Sequence, residues 1–303
     1  MPAALRDLLA AELDVEVAPG VARIAEAVRE RLGSAVVAIL FYGSCLRDRT
    51  DDGVIDFYVI VDGYRAAYGR VVPAVANALV PPNVYFVQVP RGPDEPGADP
   101  DLRCKYAVVS SSDLASGTSP GARTPALWAR LSQPCALVHA RDRAARAEVE
   151  RALAAAVTTL LAAAAPLAGG GDGRALWVCA YGETFRTELR AEKANRPELL
   201  YETFAARYDR IAEILADDIA RWRQRDPRAA QRLWRRLRIR GRAAQVLRLA
   251  KATFTFAGGL DYILWKVKRH SGVALEPTPW QRRHPLLAAP VIAFRLYRRG
   301  GFR

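Results

Sequence analysis

Two kinds of pattern along the chain predict an α/β fold that gives way to a mostly helical second part. Short apolar runs at residues 35–42 (AVVAILFY) and 54–61 (VIDFYVIV) have the length and the β-branched and aromatic content of buried strands. Ahead of them, residues 20–33 (GVARIAEAVRERLG) space their apolar side chains at helical intervals and stop at Gly33. Past residue 145 the strand-like runs cease and long Ala- and Arg-rich helical patterns take over. Residues 1–145 therefore read as an α/β domain with a mixed sheet, 146–250 as a helical domain, and 251–303 as a basic amphipathic segment.

Each element follows in turn. The 35–42 run ends at Gly43-Ser44, and a polar stretch with Arg47, Asp48, Arg49, Asp51 and Asp52 leads to the 54–61 strand. Residues 84–89 (VYFVQV), 106–110 (YAVVS) and 137–139 (LVH) read as further strands, the last at an edge. Between them, residues 91–101 are rich in Pro, Gly and Asp and read as a loop, and residues 110–125 as a second polar segment. The Ala-rich helical stretch 142–165 is broken by GGGDG at 169–173, and helices are expected over 174–192, 197–225, 227–250 and 256–270. No internal repeat is apparent.

Composition narrows the function classes. A hydrophobic content of 51% with 25% charged residues describes a folded chain rather than a disordered one. The longest apolar run, 152–168, is too short and too rich in Ala and Thr to span a bilayer, and the N-terminus lacks the basic start and apolar stretch of a secretory signal. Cys45, Cys104, Cys135 and Cys179 form no CxxC pair and only three histidines are present, so a zinc site or disulfide framework is not expected. Residues 1–200 hold 22 Lys+Arg against 24 Asp+Glu, whereas residues 201–303 hold 23 against 8. The +13 excess thus sits entirely in the last third, which implies an anionic partner: acidic lipid, nucleic acid or a phosphorylated substrate.

The segment that carries chemistry is Phe41–Val61 (FYGSCLRDRTDDGVIDFYVIV). Gly43 lets the backbone approach a triphosphate, and the Ser44 hydroxyl with neighbouring N–H groups can hold phosphate oxygens. Asp56, about a dozen residues on and flanked by apolar side chains, can hold Mg²⁺ against the same phosphates. A carboxylate inside such a strand is costly without a partner.

This segment resembles the nucleotidyltransferase superfamily, whose signature is Gly-Ser followed by an acid pair; here Tyr58 stands where the second acid would be. A closer likeness is to the mitochondrial translocator assembly and maintenance-type phosphatidate cytidylyltransferases and their bacterial relatives. It rests on Tyr42-Gly43-Ser44, Asp56-Phe57, Pro81-Pro82-Asn83-Val84-Tyr85-Phe86, Lys105-Tyr106-Ala107-Val108-Val109, and residues 127–137 (LWARLSQPCAL), in which Ala129 replaces a glycine of the family. These cover about residues 40–140; beyond 175 the likeness is faint.

The resemblance implies a nucleotidyltransferase-like fold that makes CDP-diacylglycerol from CTP and phosphatidic acid. Gly43 and Ser44 would then grip the nucleotide phosphates, Asp56 would bind Mg²⁺, and Lys105 would neutralise charge near the triphosphate. A phosphatidate headgroup carries about −1.5 to −2 charges at neutral pH, as phosphomonoesters do, and needs no general base, which partly accounts for the missing acid. Asp113, Glu183, Glu188 and Glu192 are candidates for further metal ligands, with an exposed structural acid the favoured reading of each, and Arg47 and Arg49 are candidates for phosphate contacts, with a solvated loop equally open.

Arginines interleaved with Trp222 and Trp234 over 221–248, the apolar-basic stretch 254–270, and the tail 290–303 have the make-up of a surface that binds anionic phospholipid. RNA binding and a merely solvated basic face are the competing readings. The favoured expectation is a peripheral protein on the cytoplasmic face of a membrane, with nucleic acid disfavoured and oligomerisation left open. The alternatives are a nucleotidyltransferase acting on RNA or a small metabolite, and a non-catalytic binding module on a degenerate nucleotidyltransferase fold.

Overall fold

A computed structural model describes residues 2–92, 95–97, 99–188 and 195–255, then Leu264, Val273, residues 275–283, Ala288, Val291, Ile292, Phe294, Arg295 and Arg298. All of the expected helix over 256–270 but Leu264, together with Glu192 and most of the 290–303 tail, falls outside that set. The architecture is α/β with a five-stranded mixed sheet and a helical remainder.

The chain opens with α1 (Ala3–Leu13), which the sequence reading had not assigned; it buries Leu5, Leu9 and Leu13 on one stripe at i, i+4 and i+8. Next, α2 (Pro19–Leu32) begins with proline, whose missing N–H costs nothing in a first turn, and stops at Gly33 with φ +63°. Strand β1 (Val36–Tyr42), the short α3 (Ser44–Arg47) and β2 (Val54–Val61) follow. Helices α4 (Tyr64–Tyr68) and α5 (Val71–Leu79) precede β3 (Asn83–Pro90), and β4 (Asp101–Ser110) returns antiparallel to β3 and parallel to β2. The polar 110–125 segment carries α6 (Ser111–Thr118), capped by the Ser110 hydroxyl accepting from Asp113 N–H at 3.2 Å. Helix α7 (Ala126–Leu131) and β5 (Ala136–Ala140) complete the sheet, whose order is β3-β4-β2-β1-β5.

Strand alternation sorts the sheet into two faces. Ile55, Phe57, Val59 and Val61 join Phe41, Cys104 and Val108 under α2. Leu40, Tyr58, Ile60, Ala107 and Val109 face the other way, towards α1, α6, α7 and α8 (Arg143–Ala164). That second cluster runs without a break into the helical half. It includes Leu153, Val157 and Leu161 of α8, Trp177 and Tyr181 of α9 (Gly173–Arg186), and Trp234 and Leu237 of α13 (Pro227–Thr255). The change of pattern near residue 145 is therefore a change of secondary structure and not an interruption of the core.

Asp142 and Asp172 cap α8 and α9 by accepting from Ala145 and Ala175 N–H, each at 2.8 Å. The single helix expected over 197–225 is instead three: α10 (Arg196–Thr203), α11 (Ala205–Ile214) and α12 (Ala216–Arg223). Phe204 and Leu215 leave helical geometry at the joints, and the bends keep Tyr201, Tyr208, Ile211, Leu215 and Ile219 against the core. Neither joint holds Gly or Pro, so nothing local announced them. Arg207 is held by Glu12 at 2.6 Å and donates to the Ser132 carbonyl at 2.8 Å, tying α11 to α1 and to the turn after α7.

Helix α13 starts in this core: Trp234 is fully buried, its indole N–H donates to the Ala163 carbonyl at 2.9 Å, and its ring meets Trp128 edge-on at 6.3 Å. Trp234→Ala is expected to cost about 3–5 kcal/mol through the cavity and the lost hydrogen bond. A denaturant midpoint that hardly moved would show that α13 does not depend on this anchor.

Candidate functional site

The site assembles on the α8-facing side of the sheet, where β1 delivers Gly43. Gly43 has φ +92°, a conformation L side chains avoid, and an added Cβ would stand 3.1 Å from Asp56 Oδ2. Both facts require glycine there. The turn lays the chain against the Asp56 carboxylate and starts α3 at an exposed Ser44. Register brings the rest together: Asp56 pairs with Tyr42 of β1 on one side and with Lys105 of β4 on the other. All three side chains therefore lie on one face.

Lys105 Nζ stands 3.0 Å from Asp56 Oδ1. That oxygen is nevertheless buried with no aligned hydrogen bond, so the contact is one of charge alone. Both side chains are partly exposed, at 36% and 22%, which leaves the carboxylate reachable from solvent. Lys105 was read from the sequence as sitting at the start of a strand; β4 begins earlier, at Asp101, and Lys105 is at its middle. Gly43, Ser44, Asp56 and Lys105 are thus neighbours.

The other candidates part ways. Asp113 opens α6 beyond the far end of β4, where its carboxylate accepts from the Tyr64 hydroxyl. Ser110, at that end, is five residues beyond Lys105, or roughly 16 Å along the strand, so Asp113 does not join Asp56. Glu183 is buried and taken up by Arg186 within α9. Arg47 pairs with Asp48 at 2.8 Å in an exposed loop, where Arg49 is exposed with φ +50°. Asp51 and Asp52 both bind Arg91, at 2.8 and 2.9 Å, which pins that loop to the 91–101 segment. Glu188, just past α9, does lie towards the site, within electrostatic range of Arg130 and Arg248. Among the described residues no group of three His, Cys, Asp or Glu converges as a metal cage.

Two cations unforeseen in the sequence complete the surroundings. Arg130 of α7 acts electrostatically on Tyr42, Tyr58 and Asp56, and Arg248 of α13 on Tyr58. Burial works against the Arg130 charge, but the Tyr42 and Tyr58 hydroxyls and the Glu188 and Asp56 carboxylates hold its pKa above the usual value. Burial lowers that of Arg248, though an arginine stays protonated at neutral pH. Tyr42 and Tyr58 stack at 5.0 Å, and burial pushes both phenols up, so they remain neutral. The signal for Arg130 lay in the LWARLSQP segment, whereas Arg248 was one arginine among many in a basic helix.

Helix α13 passes close to the end of α9 at Gly241, where a Cβ would meet the Thr187 carbonyl at 2.9 Å. Two turns on, Arg248 Nε donates to the Pro81 carbonyl at 2.8 Å, and Lys251 to the carbonyls of Val80 and, at 3.0 Å, Pro82. These carbonyls belong to the segment leading into β3, which holds the cis Pro81–Pro82 bond. An apolar cavity of about 420 Å³ between α8 and the α12–α13 turn, lined by Trp128, Thr159, Trp222 and Leu233, contains none of these residues. The charged groups converge instead at Asp56.

No family model matches this chain, and no curated protein matches it significantly.

Gly43→Ala is expected to lose about 1–2 kcal/mol from the disfavoured backbone and to push Asp56 aside. An unchanged urea midpoint would show that the turn relaxes freely. Lys251 gives a pH signature. Burial, then the nearby Arg248 charge, lowers its pKa to about 8 from 10.5. Between those values the unfolded chain holds a proton that the folded chain has released, so this group makes stability rise with pH from about 8 to 10.5. Thermal melts of Lys251→Met across that window should show a flatter rise than wild type; parallel curves would remove Lys251 as the source.

Proposed function

We propose that this chain is a Mg²⁺-dependent nucleotidyltransferase that joins CTP and phosphatidate at a membrane surface, giving CDP-diacylglycerol and pyrophosphate. The observation that carries the reading is the Asp56 carboxylate packed against a glycine of positive φ, with Lys105 3.0 Å away and Ser44 exposed at the same turn. The choice of CTP and phosphatidate rests on the resemblance over residues 40–140.

Asp56 suits the ion. Mg²⁺ is commonly held by one or two carboxylates, with substrate phosphates and water filling its octahedron. A solvent-reachable carboxylate with one buried, hydrogen-bond-free oxygen fits that mode better than a closed protein cage. When bound, the ion supplies charge neutralisation at the triphosphate. Lys105 adds a fixed positive charge beside the same phosphates, and Gly43 and Ser44 offer the close backbone approach and the hydroxyl that orient them.

In the reaction, a phosphatidate phosphate oxygen attacks the α-phosphorus of CTP, the bond to the β-phosphate oxygen breaks, and pyrophosphate leaves. A dianionic acceptor has no proton to surrender, so Tyr58, neutral and buried, can occupy the place of a second acid without loss of a base. The protein's share is alignment and charge. Among the described residues no helix is long and apolar enough to cross a membrane. Access to lipid would come through the basic last third, each cation worth about 1 kcal/mol near an anionic surface, with the protein peripheral on the cytoplasmic face.

Purified protein with Mg²⁺, phosphatidic acid vesicles and each NTP in turn is expected to release pyrophosphate and form a CDP-lipid with CTP alone, and Asp56→Ala to abolish it. Folded, vesicle-binding protein that turns over no nucleotide would refute the reading.

A further inference from the structure

Helix α5 is inside out. Its one polar side chain, Asn77, is fully buried: it donates to the Tyr68 hydroxyl and the Val108 carbonyl, each at 3.0 Å, and accepts from Asn83 N–H. Ala74 is buried beside it. Val71, Val75, Leu79 and Val72 fall on an arc about 100° wide that is turned away from both. All four are between 50% and 76% exposed. A surface helix ordinarily shows its polar side chains to water, and an outward apolar stripe marks a face that something apolar covers. The helix is firmly mounted in this orientation. Asn83 Nδ2 donates to the Pro73 carbonyl at 3.0 Å, and Tyr68, at the end of α4, packs on Tyr85 with ring centres 5.8 Å apart.

Two acid-free stretches of chain meet at this helix. No Asp or Glu occurs between Asp62 and Asp94, nor from Pro227 to Leu260. Arg65 of α4 and Arg70, the N-cap of α5, are exposed at one end of the apolar arc. At the other end, Lys251 of α13 donates to the carbonyl of Val80, the residue after Leu79, and to that of Pro82 at 3.0 Å. Helix α13 carries eight arginines besides Lys251, so the segment that abuts α5 is strongly cationic. Val246 and Leu247, about one turn before Lys251, are more than half exposed. An apolar face with cations at both ends suits the boundary of an anionic bilayer, where acyl chains receive the valines and headgroups the arginines. A second copy fits worse, because a two-fold contact would lay the same cations against one another.

We propose that α5 is a membrane-docking helix that lies in the plane of an anionic lipid surface, with Val71, Val72, Val75 and Leu79 in the acyl boundary and Arg65, Arg70 and cations of α13 at the headgroups. This adds an apolar contact from the α/β half to the basic last third. It deepens the membrane placement proposed above but does not rest on the reaction. Asn77 has its reason here: with the polar side chain turned inward and satisfied by Tyr68, Val108 and Asn83, the outward face is left wholly apolar.

The test is flotation of the full chain with vesicles of phosphatidylcholine alone and of phosphatidylcholine mixed equally with phosphatidylglycerol, an anionic lipid that is not the proposed substrate. Wild type should bind the anionic vesicles more tightly, and high salt should weaken but not abolish that binding. Val72→Gln and Leu79→Gln leave the net charge unchanged, so they read the apolar contribution alone. Each should weaken binding to the anionic vesicles about tenfold or more, as loss of one buried aliphatic side chain does, while the melting midpoint stays put. Arg65→Gln and Arg70→Gln should each cost about fivefold and flatten the salt dependence. Vesicle binding unaltered in the Val72→Gln/Leu79→Gln double variant would overturn the proposal. A lowered melting midpoint beside that unaltered binding would assign the face to another part of this chain, and a dimer lost in sedimentation velocity beside it would assign the face to a second copy. CDP-lipid synthesis from soluble dihexanoyl phosphatidate should be equal in wild type and the double variant. Vesicle binding that depends on Val72 and Leu79, in a protein that turns over no nucleotide, would support the docking face while sinking the proposed reaction.

Discussion

A carboxylate set in the middle of an apolar strand has to be accommodated by everything around it, and the organisation of this protein's sheet edge follows from how Asp56 is accommodated. Its neighbours in β2 are buried hydrophobics, so its side chain can reach water only near the end of the sheet face where β1 terminates. There the chain turns through Gly43 at a φ that glycine alone adopts readily, which brings the backbone to within contact of the carboxylate and leaves no room for a Cβ. Lys105 balances the charge from the parallel neighbour β4 without saturating it, since one carboxylate oxygen keeps its hydrogen-bonding capacity unspent.

The helical half supports this arrangement through packing. One cluster joins the sheet face to α8, α9 and α11, and Trp234 fastens α13 into it. Beyond that anchor α13 passes the end of α9 at Gly241 and lands on the carbonyls before β3, so a helix rooted in the core fixes the segment that enters β3 at the Ser110 end of β4. Interiors pack densely and transmit displacement, which makes the position of Arg248 a property of the whole α8–α9–α13 interface.

Charge is distributed accordingly. Asp51 and Asp52 of the loop between α3 and β2 are neutralised by Arg91, and Arg47 is engaged with Asp48 despite its proximity in sequence to Gly43. Two arginines far apart in sequence, Arg130 on α7 and Arg248 on α13, act electrostatically on Tyr58.

By itself, the sequence determined the five strands, the α2 helix, and the Gly43–Asp56 pattern, while Lys105 entered only through the family resemblance. Strand alternation, a glycine before a serine and an acid among hydrophobics are local patterns with few physical solutions. It also located the Ala-rich α8 and its break, because a helix former run and a glycine cluster act within a few residues. Only the tertiary structure decided which acids meet: Asp113 is carried to the far end of β4 and Glu183 is consumed by Arg186, outcomes that depend on strand length and helix phase. The bends at Phe204 and Leu215 likewise arise from the need to keep Tyr208 and Ile219 on the core, with no residue nearby to signal them. The engagement of Arg248 with the Pro81 carbonyl lies furthest from the linear text, because composition counts arginines while only packing between distant elements sets what each one meets.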